Sequence, residues 1–327
     1  MNAAPLLEQL TLSEKTQSFV IQVKKRNVNQ VIIKMKTVLV TGASGLIGSA
    51  LCKRLEAKGY EVRTLSRSGG DATWDIEAGT ISDEAMDKVD GVIHLAGEPI
   101  AQRWSEETKQ RIIDSREKSV RILVEGIFKQ PKPPIYISAS GINFYGFNRK
   151  EPVDEHSESG EGFLAEVCKK WEGAAQPLTA AGVRAVFIRT GIVLSARGGA
   201  LAKMLTPFKL GVGGRLGSGT QWMSWISLPD LVDLYCFALE KNELSGPVNA
   251  VSPNPVSNAS FTKELGKVLN CPAIFQLPVA VIKALFGKMG QETVLADLTV
   301  LPTRAEEAGF TWTTPELKMA LSHCLRD

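Results

Sequence analysis

The segment TGASGLIG at residues 41–48 constrains this chain more than any other feature. It follows the apolar residues 38–40, which predict a strand, and precedes residues 49–58, which predict a helix. Gly42 permits a sharp turn, Gly45 lets backbone N–H groups approach a phosphate, and Gly48 permits close packing of the helix on the strand. The segment therefore predicts a site for the pyrophosphate of a dinucleotide. The remaining predicted contacts in this loop are Ser44, Leu46 and Ile47.

A glycine triplet alone is weak evidence, because 29 of the 327 residues are glycine. A second predicted strand at residues 61–66 completes a β-α-β unit of the length that dinucleotide sites use. A glycine turn with a purely structural role is the alternative interpretation.

The end of that second strand, Ser66-Arg67-Ser68, indicates which dinucleotide fits. An NAD site usually places Asp or Glu there to bind the ribose hydroxyls, whereas the 2′-phosphate of NADP needs a cation. Arg67 offers a planar fork of donors that suits a phosphate. We therefore expect NADP(H), with NAD(H) as the weaker alternative. Arg67 as a solvated surface residue is the other interpretation.

Composition excludes several classes of protein. The net charge of +3 and the 22% of charged residues give no basic excess for nucleic acid. No apolar run reaches the roughly eighteen residues that would span a bilayer. The five cysteines are scattered, and the three histidines lack metal-ligand spacing. We expect a cytoplasmic protein with no metal, no membrane partner and no nucleic-acid partner.

Residues 1–34 differ from the rest of the chain in having short apolar patches between polar and charged residues. They lack the apolar core and small-residue cleavage site of a secretory signal, and Glu8 and Glu14 argue against a transit peptide. We expect either a disordered leader or a reading frame opened upstream of the functional start at Met35.

The rest of the chain alternates between predicted strands and helices. Strands at 91–96, 135–138 and 184–189 alternate with helices at 105–129 and about 161–181. This pattern is typical of an α/β fold with a doubly wound parallel sheet of Rossmann type, which binds ligands beyond the carboxyl ends of its strands.

The predicted domain division has two parts. We expect a dinucleotide-binding domain at residues 36–190, with elements returning from about 225–250, and a smaller substrate lobe at 191–327. In that lobe, residues 211–219 are too rich in glycine to predict regular structure. The segments 279–286, 293–300 and 315–325 read as short helices that close the lobe.

From Lys36 onward the chain resembles the extended short-chain dehydrogenase/reductases, which include nucleotide-sugar epimerases and dehydratases. The blocks HLAGEPI at 94–100, RTGIVL at 189–194, MLTPF at 204–208 and VSP at 251–253 are similar to the atypical "epimerase family protein" branch, sometimes labelled SulA-like. The resemblance implies further cofactor contacts. These are Asp75 near the adenine, Leu95, Ala96 and Gly97 along the dinucleotide, and Arg116 where typical members carry Asn.

The resemblance also shows where the active site departs from the larger family. Typical members use a Ser, a Tyr and a Lys four residues after the Tyr, whereas alignment on Glu172 places Leu164 and Cys168 at the last two positions. Ser140 retains the serine, with Ser138 beside it. Tyr145 could offer a phenol to a substrate, and a Cys168 thiolate could act as a base if its pKa were lowered. The alternatives are a structural tyrosine and an inert core cysteine.

The substrate lobe carries two candidate ligand contacts, Arg215 and Trp222. Arg215 could pair with a phosphate or carboxylate, and a flexible surface hinge is the alternative for its loop. The resulting hypothesis is an NADP(H)-binding oxidoreductase or epimerase-like protein that acts on a small carbonyl or nucleotide-sugar-like substrate. A homodimer is the expected assembly. The second hypothesis is a nucleotide-sensing or regulatory protein that has lost the catalytic pair, with a link to cell division that the SulA-like label suggests.

Overall fold

The glycine loop and the strands around it form the first half of the fold. The computed structural model describes residues 36–326. The strands in this half are β1 (Thr37–Thr41), β2 (Glu61–Ser66), β3 (Ala72–Asp75), β4 (Thr80–Ile81), β5 (Val89–His94), β6 (Ile135–Gly141) and β7 (Ala185–Thr190). The α-helices are α1 (Leu46–Ala57), α2 (Glu106–Phe128), α3 (Phe163–Ala174) and α4 (Gln176–Ala180), with 3-10 helices at Asp83–Met86 and Ile142–Tyr145.

The second half contains shorter strands and six further helices among the described residues. The strands are β8 (Ile192–Leu194), β9 (Gly214–Leu216), β10 (Trp222–Met223), β11 (Trp225–Ser227), β12 (Gly246–Ala250), β13 (Val256–Ser257) and β14 (Phe275–Leu277). The helices are α5 (Gly199–Lys209), α6 (Leu228–Glu240), α7 (Asn258–Leu269), α8 (Val279–Glu292), α9 (Thr303–Glu307) and α10 (Leu317–Cys324).

The central sheet has eight strands in the order β12-β7-β6-β5-β1-β2-β3-β4. Every neighbouring pair is parallel except β3 and β4. Apolar residues of α1 and α6 pack on one face, and those of α2 and α3 pack on the other. A strand buried on both faces needs an apolar run, which is what the sequence supplies. The prediction of a doubly wound α/β fold is confirmed.

Residues from Lys36 onward cluster as one compact unit. Within it β12 returns to pair with β7, while three two-stranded sheets, β8 with β11, β10 with β13 and β9 with β14, lie outside the central sheet. A separate apolar cluster joins α5, α7 and α10. The division at residue 190 stays a proposal, and the predictions for residues 1–34 lie outside the described residues.

Three local predictions differ from the structure. The predicted helix at 293–300 is wrong, because Asp297 and Val300 form bridges with Asn148 and Val153 instead. The predicted helix at 161–181 divides after Ala174, where Pro177 at the start of α4 cannot donate a backbone hydrogen bond. Residues 211–219 are not wholly irregular, since β9 pairs with β14.

Candidate functional site

The glycine loop has the geometry that a phosphate cradle requires. Gly42 has φ +68°, and a Cβ on it would lie 2.9 Å from the backbone N of Ala96. A Cβ on Gly48 would lie 2.2 Å from the carbonyl oxygen of Gly42, so only glycine allows the first turn of α1 to lie this close to the loop. Gly45 is exposed and forms the N-cap of α1 without a side chain to cap it. The N–H groups of Leu46 and Ile47 therefore face a position that suits an anion.

Arg67 lies just beyond the carboxyl end of β2 and is exposed. Within residues 36–326 its guanidinium makes no hydrogen bond or ion pair. The nearest carboxylate in sequence, Asp71, accepts from the backbone N of Thr64 at 2.9 Å and from its Oγ1 at 2.8 Å. These bonds to Thr64 lower the pKa of Asp71. The end of β2 thus offers a free cation and a carboxylate that is already bonded.

Asp75, which is predicted to lie near the adenine, uses its carboxylate to close a backbone turn. Its Oδ1 accepts from the backbone N of Glu77 at 2.9 Å and of Ala78 at 3.0 Å. This is the pattern of an Asp that closes its own turn. A contact of Asp75 with adenine stays a prediction.

A chain of buried hydrogen bonds holds the segment that follows β5. Thr41 Oγ1 accepts from the backbone N of Leu95 and of Ala96, both at 3.1 Å, so its own proton is left for His94 Nδ1 at 2.7 Å. Since Nδ1 accepts, His94 Nε2 carries the proton and donates to Ser119 Oγ at 3.0 Å. Burial, with a smaller effect from the charge of Arg116, lowers the pKa of His94 to about 3. The imidazole is a neutral structural link between β1, β5 and α2.

Arg116 holds the same segment from α2. Its Nη1 donates to the carbonyl oxygen of Glu98 at 3.0 Å and of Ile112 at 3.1 Å, and its guanidinium lies 4.7 Å from the Trp171 ring. A Cβ on Gly97 would lie 3.0 Å from the guanidinium carbon, so Gly97 allows the backbone to cross it. Arg116 is 6% exposed, and burial lowers its pKa to about 10. The structure shows it holding the backbone of the segment; direct contact with a cofactor stays a prediction.

Ser140 and Tyr145 belong to one buried polar network. Ser140 Oγ donates to Glu172 Oε1 at 2.7 Å, and Arg189 donates to both carboxylate oxygens of Glu172 at 2.8 and 2.7 Å. Arg189 Nη1 also donates to the Tyr145 hydroxyl at 2.9 Å, and that hydroxyl donates to Asn249 Oδ1 at 2.8 Å. The network joins β6, α3, β7 and β12 at the carboxyl side of the sheet.

The chemistry of Tyr145 and Cys168 follows from their burial. Tyr145 is 0% exposed, and burial raises its pKa to about 12 against the opposing effect of Arg189. Burial and then the charge of Glu172 raise the pKa of the Cys168 thiol to about 11. Its Sγ donates to the carbonyl oxygen of Gly141 at 3.6 Å. Neither environment favours the ionised form, so the pKa of the Cys168 thiol is raised and not lowered as a catalytic base would need; catalytic roles for Tyr145 and Cys168 stay predictions.

The candidate substrate contacts lie in the β9–β10 region. Arg215 is exposed, and its Nη2 donates to Gln276 Oε1 at 3.2 Å. Trp222 is 46% exposed, and its backbone N donates to Asp297 Oδ1 at 2.8 Å. Among the described contacts, none joins either residue to Ser140 or Tyr145.

Sequence reasoning missed several residues that organise the site. Arg189 was visible as a charge at the end of an apolar strand, and such a charge needs a buried partner. Glu292 gave no signal, yet its carboxylate accepts from the backbone N of Phe163 at 3.1 Å and of Leu164 at 2.9 Å. It caps α3, whose own N-cap is Gly162. A contact 128 residues away cannot be read from local sequence.

Residues 36–326 hold no cluster of three His, Cys, Asp or Glu side chains arranged for a metal ion. No helix in the same range is long and apolar enough to cross a membrane.

Comparison with known proteins identifies the family. Residues 38–251 match the model of the NAD dependent epimerase/dehydratase family, and residues 277–324 match a domain of unknown function, DUF1731. An epimerase family protein of Mycobacterium bovis is 41% identical over 278 residues, which are 84% of this chain and 92% of that protein. Human epimerase family protein SDR39U1 is 37% identical over 291 residues, covering 87% of this chain and 98% of that protein.

A crystal structure of human SDR39U1 (isoform 2) with NADPH matches with a TM-score of 0.82 and 36% identity, covering 89% of this chain and 99% of that one. The resemblance expected from the sequence motifs is confirmed. With its Rossmann-type sheet, this chain belongs to the NAD dependent epimerase/dehydratase family, among the epimerase family proteins of the short-chain dehydrogenase/reductase superfamily.

Proposed function

We propose that this chain binds NADP(H), with the pyrophosphate on the glycine loop and the 2′-phosphate on Arg67. The exposed guanidinium of Arg67, free within the described residues, supports this most directly. The Arg67 guanidinium can donate two hydrogen bonds to a phosphate. The ribose hydroxyls of NAD would need a free carboxylate, and Asp71 already accepts from Thr64. The human relative crystallised with NADPH supports the same choice.

We further propose that the bound dinucleotide serves an oxidoreductase or epimerase-like reaction on a small carbonyl or nucleotide-sugar-like compound. The nicotinamide would supply or accept hydride. Ser140 donates to Glu172, and the Tyr145 hydroxyl is bonded on both sides. Neither is free to pass a proton to a substrate as it lies here, so solvent is the proton carrier in this proposal.

A nucleotide-sensing protein is the second candidate. The observation that favours it is the burial of Leu164 and Cys168, 2% and 5% exposed, at the positions of the usual Tyr and Lys. An apolar side chain and a neutral thiol cannot replace a phenol and an ammonium in acid-base chemistry. A cytoplasmic location and a homodimer stay predictions.

Thermal unfolding with and without NADPH or NADH tests the cofactor proposal, because a ligand of the folded state raises the melting temperature. We expect a larger shift with NADPH than with NADH, and Arg67→Ala should remove that preference. The control is Arg121→Ala, an exposed arginine on α2. No shift with either nucleotide would refute the proposal.

Turnover separates the two candidates. NADPH-loaded protein is incubated with a panel of carbonyl compounds, and the absorbance of NADPH is followed. NADP⁺-loaded protein is incubated with nucleotide sugars, and inversion at a hydroxyl-bearing carbon is followed. Net oxidation of NADPH indicates a reductase, and inversion without net change of the cofactor indicates an epimerase. Binding without either result supports the sensing protein.

A further inference from the structure

Helix α8 exposes apolar side chains where a surface helix would normally be polar. Val279 and Val281 are each 39% exposed, Leu285 is 66% and Phe286 is 40%. Of its large apolar side chains, only Ile282 is buried. A helix that is apolar nearly all round is usually covered, and an exposed apolar patch usually marks a binding surface.

Three contacts place α8 beside the candidate site. At its start, Val279 Cγ2 lies 2.9 Å from the position of a Cβ on Gly217, in the glycine-rich loop next to Arg215. At its end, Glu292 caps α3, the helix that carries Cys168 and Glu172. Also at its end, the backbone carbonyl oxygen of Glu292 accepts from Asn143 Nδ2 at 3.0 Å, two residues before Tyr145 in the chain. Helix α8 therefore runs from the candidate substrate loop to the start of α3.

The composition of α8 restricts what can lie along it. Helix α8 carries Lys283, Lys288 and Gln291, and its one acidic residue, Glu292, is buried and already bonded to the backbone of α3. Sugar hydroxyls need several paired donors and acceptors, because an unpaired polar group loses its bonds to water. Apolar side chains with nearby cations instead suit a ligand that has an apolar body and a negative charge.

We propose that α8 is a wall of the substrate site and takes the apolar part of an anionic substrate, such as a carbonyl compound with an alkyl chain or aromatic ring and a carboxylate. This inference rests on the proposed NADP(H)-dependent function. It predicts that a nucleotide sugar is the poorer ligand, although the chain belongs to an epimerase family.

The helix geometry indicates which side chains form the wall. Val279 and Phe286 are seven residues apart and share a face, the face that packs on Gly217. Val281 and Leu285 share a different face. Both pairs precede the break in the helix at Gly287, which has φ +57°. Phe286 is therefore a test position and Leu285 a matched control.

The test uses full-length protein saturated with NADPH and the fluorescent probe 8-anilinonaphthalene-1-sulfonate, which combines aromatic rings with an anion. We expect saturable binding that decanoate displaces and UDP-glucose does not. Phe286→Gln should weaken binding of the probe about tenfold or more, because the variant can no longer bury one large apolar side chain against it. Leu285→Gln should change binding of the probe less than about twofold. Val279→Thr, a change of similar volume, should weaken it in the same direction as Phe286→Gln.

The outcomes separate this inference from the proposed function. The NADPH-induced rise in melting temperature is measured on every variant, and it reports both folding and cofactor binding. If NADPH binds and UDP-glucose displaces the probe, or if Leu285→Gln is the variant that loses it, the inference is overturned while the proposed function stands. If NADPH does not bind to wild-type protein, the proposed function fails first.

Discussion

The carboxylate of Glu172 is held by the guanidinium of Arg189 through two hydrogen bonds, at 2.8 and 2.7 Å. The two side chains are 12% and 5% exposed. This pair lies at the centre of the site. Ser140 donates a hydrogen bond to Glu172, and Tyr145 accepts one from Arg189. The predicted catalytic residues Ser140 and Tyr145 are thus both bonded to one buried ion pair.

We expect Glu172→Gln to lower the free energy of unfolding by about 3 kcal/mol, because it leaves the buried charge of Arg189 without a counter-ion. Glu166→Gln is the control, since the exposed pair of Glu166 with Lys170 should contribute less than about 0.5 kcal/mol. Urea denaturation of both variants measures the difference. Equal losses would show that the Arg189 pair adds nothing specific.

The glycines of the loop should separate folding from binding. Gly48→Ala would place a Cβ 2.2 Å from the carbonyl oxygen of Gly42, so we expect the protein without ligand to lose about 2 kcal/mol or more. Gly45→Ala meets only that oxygen at 3.2 Å and needs no unusual backbone angle, so stability should change by less than about 1 kcal/mol.

Gly45→Ala should nevertheless weaken the binding of NADPH more than about tenfold, because the new methyl group lies where the pyrophosphate approaches the backbone. Isothermal titration of NADPH and denaturation without NADPH give the two readouts. A Gly45→Ala protein that binds NADPH normally would place the dinucleotide elsewhere.

His94 should make stability depend on pH. Its folded pKa of about 3 lies below the ordinary value of 6.5, so the unfolded chain binds the proton first and stability falls as pH falls below 6.5. Between pH 7 and pH 5 this contributes a loss of about 2 kcal/mol. The loss should disappear from the pH profile of His94→Gln. His156→Gln, at an exposed histidine, should retain the wild-type slope.

Arg116 and Cys168 should be coupled, because the Arg116 guanidinium lies 4.7 Å from the ring of Trp171, which is three residues from Cys168 on α3. Cys168→Lys would add a second cation beside the first, so we expect a large loss of stability. In an Arg116→Asn background the same change should cost at least about 1 kcal/mol less. A double-mutant cycle by urea denaturation measures the coupling, and additive effects would contradict it.

Local sequence was sufficient for the sheet and the glycine loop. The apolar runs at residues 38–40, 91–96 and 184–189 form parallel strands because they can bury both faces, and Gly48 lies where the first turn of α1 meets the loop after β1. Local pattern failed at residues 293–300. There Asp297 and Val300 pair with residues 148 and 153, a long-range contact that overrides their apolar spacing.

The sequence by itself determined the doubly wound fold, the dinucleotide loop and the cation at Arg67, because each depends on residues close together in the chain. Only the tertiary structure decided the state of the site. Glu172 meets Ser140 across 32 residues, and Arg189 meets Tyr145 across 44. Such contacts bury Tyr145 and Cys168 and keep them neutral. The loss of solvent that raises the pKa of each group occurs only when distant segments pack together.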